Sequence, residues 1–177
     1  YLAFMMPPIR HSEVGSKKRY AGLIEKNGKE EIEVVGLEAI RGDWTEAAQE
    51  FQVQLLDKIF HKEEFVAFIK NYVKKIKEGK LDDKLVYRKS ITKPLEHYVK
   101  ITPPHVKAAR QLGNLDSNII RYYMTVSGPE PVQNKKHKLD YEHYIEKQIA
   151  PIANTMLFFF HKTFHEIIET SKQMKLF

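Results

Sequence analysis

Gly15-Ser16-Lys17-Lys18-Arg19-Tyr20-Ala21-Gly22-Leu23-Ile24, followed at short range by Gly36-Leu37-Glu38-Ala39-Ile40-Arg41-Gly42-Asp43-Trp44, is the stretch on which the reading of this chain turns. Three consecutive cations end in a phenol and run on into apolar residues. That puts fixed positive charge and an aromatic hydroxyl at a strand end, a surface suited to a phosphodiester backbone. Lys18 to Ile24 reads as a strand, Asn27-Gly28 as a tight hairpin turn whose central positions both need positive φ, and Glu31 to Val35 as the returning strand. After Gly42 the period changes. Trp44, Ala47, Ala48, Phe51, Leu55 and Ile59 follow a helical face, with Asp43 placed to cap its start.

Working outward, a second helix is predicted from about Lys62 to Lys77, burying Phe65, Phe68, Ile69, Tyr72, Val73 and Ile76 and stopping at Gly79. Leu85 to Lys89 reads as a strand, Pro94 as a turn, and Pro103-Pro104 as the first turn of a helix. Ile119 to Ser127 alternates as a strand ended by Gly128-Pro129-Glu130-Pro131, and Asn134 to Lys138 is a basic loop. Tyr141 to Ser171 is helical in two pieces, with Pro151 at a helix start or kink, and Met156 to Phe160 predicts a buried helix face. The opening Tyr1 to Met6 is apolar but too short to span a membrane, and it lacks the basic flank and cleavage site of a secretory signal. It reads as a buried strand whose neighbours lie upstream. With no initiating Met, the chain is expected to be the C-terminal part of something larger.

The 177 residues can hold one domain with a real core, or one domain plus the edge of another. Twenty-nine Lys and Arg against 23 Asp and Glu give a net charge of +6, a bias that permits a polyanion partner without demanding one. The absence of cysteine excludes disulfides, thiolate catalysis and thiolate metal sites. Asp82-Asp83, between Gly79-Lys80-Leu81 and Lys84, reads as a turn and not as a metal site. His161 and His165 stand four apart, as if on one helix face, but Lys162 occupies the place where a zinc hydrolase needs Glu, so they read as a surface or core pair. Gly36 and Gly42 sit in neither phosphate-loop pattern. Backbone recognition is what remains.

Three further motifs follow the opening stretch in order: Leu85-Val86-Tyr87-Arg88-Lys89, then Pro103-Pro104-His105-Val106-Lys107-Ala108-Ala109-Arg110, then Asp140-Tyr141-Glu142-His143-Tyr144-Ile145. Together these resemble family B DNA polymerases, and among them the bacterial polymerase II type, from about Gly15 to the end of the chain. The segment between Arg110 and Tyr122 carries no strong signature.

The resemblance implies an α+β fold: a small antiparallel β edge of the palm domain (1–42), a mostly helical thumb with a minor β element (43–171), and a C-terminal tail (172–177). It implies a DNA-directed DNA polymerase as the parent, with its Mg2+-binding aspartates on strands upstream, and therefore no catalytic residue and no cofactor in this stretch. Lys17, Lys18, Arg19 and Tyr20 match the family's K-K-x-Y motif. Lys18 and Tyr20 take the primer-end contacts, while Lys17 and Arg19 are expected to face water. Arg88, Lys89, Lys107 and Arg110, with His105 at a helix start, are the expected thumb contacts to duplex phosphates. Gln173, Leu176 and Phe177 resemble the Q-x-x-L-F peptide by which bacterial polymerases attach to the sliding clamp. The implied partners are primer–template duplex and that clamp, in the bacterial cytoplasm and with no membrane. Two rivals stand beside this reading: a free-standing, non-enzymatic nucleic-acid-binding domain, and a helical adaptor recruited through its tail.

Overall fold

The computed structural model describes residues 1–9 and 15–174. Two antiparallel three-stranded sheets flank a helical body, the α+β arrangement expected. In the first sheet β1 (Ala3–Met5) and β3 (Lys29–Val35) lie on either side of β2 (Tyr20–Lys26). The β2–β3 hairpin closes through Asn27 (φ 53°) and Gly28 (φ 75°), as the Asn-Gly pair foretold, with Lys26 opposite Lys29. Period-two alternation turns Met5, Ala21 and Leu23 into the core and leaves Phe4 and Glu33 on the outer face, where Tyr1 lies over Gly22. The opening run thus pairs with a strand downstream of it, and Tyr1, Leu2 and Phe4 are exposed rather than buried.

Helices α1 (Glu46–Phe60), α2 (Val66–Lys77), α5 (Ala150–Leu157) and α6 (Phe164–Met174) build the main core around Phe51, Leu55, Ile69, Ile76, Ile152, Met156 and Phe164. Thr45, not Asp43, caps α1: its side chain accepts from the Ala48 N–H, whereas Asp43 pairs with Arg41 at 3.0 Å. Thr45 has the extended backbone of a capping residue and its hydroxyl is further held by Gln148, while Asp43 is engaged by Arg41.

The second sheet runs β4 (Tyr87–Ser90), β5 (Ile119–Thr125) and β6 (Gly128–Pro131), with the short helix α3 (Pro104–Ala109) packed on it. The Gly-Pro-Glu-Pro stretch expected to end a strand is therefore a strand itself. Proline lacks the N–H of a ladder residue, and β6 is tolerated because it lies at the sheet's edge.

From Tyr141 the backbone stays helical through α4 (Tyr141–Tyr144), a π-turn at Ile145–Ile149 and α5. Pro151 lies in the first turn of α5, the helix start expected of it, although the backbone ahead of it is already helical. The widened turn comes just before it, closed by the Ala150 N–H donating to the Ile145 carbonyl, as expected where a missing N–H disturbs the α ladder. The real break is His161, left-handed at φ 53°. It places His161 and His165 on different segments, so their four-residue spacing does not make one face. Met156 and Leu157 are buried, but Phe158, Phe159 and Phe160 are exposed on a 3₁₀ turn, against the buried-face expectation.

Candidate nucleic-acid interface

Lys17 and Lys18 occupy the tip of a tight turn in which the Arg19 N–H donates to the Ser16 carbonyl at 3.0 Å. They precede the strand rather than lie on it, and both are exposed. The turn is held from behind. Gly36 (φ 66°) lies so close that a Cβ there would stand 2.0 Å from the Lys18 carbonyl oxygen, so only glycine admits this approach. Arg19 is not open to water. Its guanidinium donates to the Gly36 carbonyl (3.2 Å) and to Glu38 (2.9 Å), and Glu38 also accepts from Gln52 of α1 at 2.7 Å. Arg19 therefore fixes the turn to the first helix while the two lysines project. Tyr20 is half-buried, its ring 5.2 Å from Phe4.

The remaining predicted contacts converge on the second sheet. Between residues 86 and 125 there are seven Lys and Arg against two acids, Glu96 and Asp116, so five of the six net charges of the chain sit there. Elsewhere cations are commonly paired: Arg19 with Glu38, Arg41 with Asp43, Lys84 with Glu50, Lys77 with Glu142. Among the described residues none of Arg88, Lys89, Lys93, Lys100, Lys107, Arg110 and Arg121 has an ion-pair partner. Desolvating these groups against phosphate would break no existing pair.

Sequence reasoning missed Arg121. It stands directly opposite Arg88 in the β4–β5 register, and both are exposed. Two like charges in cross-strand register repel, an arrangement that an anion relieves. The signal was present in the alternation of Ile119 to Thr125, which puts Arg121 on the face opposite Ile120 and Tyr122. Both arginines line a cleft of about 550 Å³ between the second sheet and the start of α1, which also includes Gly42, Trp44 and Gln49 and the carboxylates Glu46 and Asp83.

Two predicted contacts behave otherwise. Arg110 donates to the carbonyls of Leu95 and Tyr98 (2.9 Å each) and to Thr102 Oγ1 (3.2 Å), clamping the loop ahead of α3. His105 is held below its ordinary pKa by burial and then by the nearby Lys89 charge, so at neutral pH it is uncharged and can only donate or accept a hydrogen bond. Lys107 is exposed on α3. Leu176 and Phe177 lie outside the described residues, while the backbone of Gln173 is in the last turn of α6.

The junction is pinned by Gln148, whose carbonyl accepts from the Thr45 N–H (3.1 Å) and Oγ1 (2.9 Å). The π-turn ahead of Pro151 carries Gln148, which meets a partner 103 residues away in sequence. Beyond β6, the basic loop Asn134 to Lys138 is tethered by buried Glu130, which accepts from the N–H groups of Lys136 (2.7 Å) and His137 (3.0 Å) and from the His137 ring (2.5 Å). Asp82 accepts a hydrogen bond from the Tyr141 hydroxyl at 2.9 Å, in keeping with a structural turn. Among the described residues no group of three or more His, Asp or Glu could hold a metal ion.

Comparison with known proteins finds this fold, a basic sheet-and-helix module on a helical body, among DNA polymerases. Residues 14–158 match the model of DNA polymerase family B, and the chain belongs to that family. It is 40% identical to DNA polymerase II of Escherichia coli over 93% of its own length and 22% of the relative's, and 35% identical to DNA polymerase 2 of Aeropyrum pernix over 82% of its length and 20% of the relative's. The family B DNA polymerase of the archaeon Pyrobaculum calidifontis superposes with a TM-score of 0.62 at 30% identity, covering 77% of this chain and 19% of that one. The chain spans about a fifth of the length of the curated relatives it matches.

Proposed function

We propose that this chain is the duplex-gripping part of a DNA-directed DNA polymerase: residues 1–42 the edge of the palm, 43–171 the thumb, and 172–177 a tether to the sliding clamp. The observation that carries the grip is the concentration of unpaired cations around the second sheet. Arg88, Arg121, Lys89 and Lys107 meet phosphates of duplex product, and Lys17, Lys18 and Tyr20 meet the primer end. Arg110 serves as an internal clamp, and His105 as a neutral hydrogen-bonding group. Such contacts read backbone charge and shape with little base sequence, as an enzyme copying any template requires. The carboxylates that hold Mg2+ belong, on this reading, to parts of the polymerase outside these residues, and the full-length protein works on the bacterial nucleoid.

Duplex binding measured against salt tests the grip. Counterion release gives a log–log slope of about −0.9 per phosphate contacted, so Arg88→Ala and Arg121→Ala should each flatten the slope by about one unit, whereas Lys26→Ala on the hairpin should leave it unchanged. Equal effects of all three would mean that bulk charge alone is at work. For the tether, Leu176→Ala with Phe177→Ala should weaken sliding-clamp binding by about a hundredfold or more, since each apolar anchor is worth roughly 1.5–3 kcal/mol on burial. Calorimetric titration with purified clamp that shows no loss would remove the tail from the reading.

A further inference from the structure

The loop between β4 and α3 exposes two large apolar side chains to water, Val99 at 81% and Ile101 at 80%, flanking Lys100. A floppy loop could shed such exposure by collapsing, but this one is braced. Arg110 makes three hydrogen bonds to its backbone and Thr102. The Tyr98 ring stands under the Lys93 ammonium, 4.5 Å from the centroid, and edge-on to His105 at 6.2 Å. Pro103-Pro104 stiffen its exit. A pre-organised apolar tip costs little further ordering when it meets a partner.

Charge says which partner. The nearest cations in sequence are Lys93, Lys100 and Lys107, none ion-paired among the described residues, against one acid, Glu96, in the same loop, and the module as a whole is strongly basic. An apolar pair bracketed along the chain by cations that outnumber the one nearby acid suits a surface that alternates anionic phosphate with apolar sugar. We infer that Val99 and Ile101 form an apolar contact element that seats against the deoxyribose edges of duplex DNA, with Lys93 and Lys100 on the adjoining phosphates. The inference rests on the duplex-grip reading and deepens it. It divides the grip into a salt-sensitive part, supplied by cations, and a salt-insensitive part, supplied by this tip. Arg110 is a positioning residue in that division, holding the tip while touching no phosphate.

The test is duplex binding by the full-length protein over a range of salt concentrations. Val99→Ser with Ile101→Ser should weaken binding by roughly tenfold at every salt concentration, equivalent to about 1.4 kcal/mol, and leave the log–log slope unchanged. Lys93→Ala with Lys100→Ala should flatten the slope by about two units. Because both apolar residues are exposed, the serine pair should leave the melting temperature unmoved; a fall of many degrees would show that they pack and would overturn the inference. If the parent protein binds duplex with a steep salt slope and the serine pair binds equally well, the tip faces something other than DNA and the inference fails while the grip stands. If the parent shows no salt-dependent duplex binding at all, the grip itself fails and this inference with it.

Discussion

At the scale of single residues, charge does two different jobs here, and its surroundings decide which. Lys17 and Lys18 project from a turn that Arg19 anchors, and Arg88 and Arg121 face outward while Arg110 ties a loop. Glu130 is the acidic member of the anchoring class. Burial pushes its carboxyl up, but the Lys136 N–H and the His137 ring and N–H outweigh that and hold it at about 2. A carboxyl depressed in the fold contributes stability that is complete above its unfolded pKa of about 4.3 and lost as pH falls toward the folded value. Between about pH 5 and pH 2, then, the parent chain should lose more thermal stability than Glu130→Gln, which carries no such titration. Parallel melting curves over that interval check this, and identical pH slopes would show that the carboxylate is not what holds the basic loop.

Among the elements, the π-turn and the start of α1 act as a pair. Gln148 is buried and supplies the acceptor for a buried backbone N–H and a buried hydroxyl of Thr45. Gln148→Leu should cost roughly 1–3 kcal/mol, since those donors would be left unpaired away from water. Gln54→Leu, at an exposed site on α1, should stay within about 0.5 kcal/mol; denaturant titration of both separates a local contact from general helix damage. This contact was illegible in the sequence. Pro151 was visible, but whether it starts a helix, kinks one or widens a turn depends on what the freed carbonyl and its neighbours pack against. The Asn27-Gly28 hairpin, the Gly79 helix stop and the Pro103-Pro104 helix start were all readable, because each rests on local backbone preference. The candidate site divides in the same way. Lys17, Lys18, Arg88, Lys89 and Lys107 could be named from motifs, while the cross-strand partner Arg121, the inward turn of Arg19 and the clamp role of Arg110 depend on register and loop path. Phe158 to Phe160 misled for a related reason: an apolar run carries no sign of where its helix will tighten and turn outward.

Over the whole molecule, two apolar clusters of unequal size share one side chain. The large one spans the first sheet and helices α1, α2, α5 and α6; the small one consists of Ala108, Ala109, Ile120 and Tyr122 with a few half-buried neighbours, and Tyr87 packs against both. Its ring stacks between Tyr122 (5.2 Å) and Tyr144 (5.5 Å), and its hydroxyl shares a 2.8 Å hydrogen bond with Nε2 of His143, whose pKa burial lowers. Tyr123 and Met124 of β5 also pack on the large cluster and the Met124 N–H donates to the Tyr144 hydroxyl at 2.8 Å, so β5 is tied to the body, while β4, α3 and the small cluster form the outer part able to open at a smaller free energy. Amide hydrogen exchange should register this directly, with the N–H groups of β4 and α3 trading deuterium sooner than those of α1 and α5. Uniform protection across both would mean that the two clusters melt as one. If the module does breathe on its own, added duplex should slow exchange there and leave the helical body's rates alone, and letting go of DNA would then require only a local loosening of the hand.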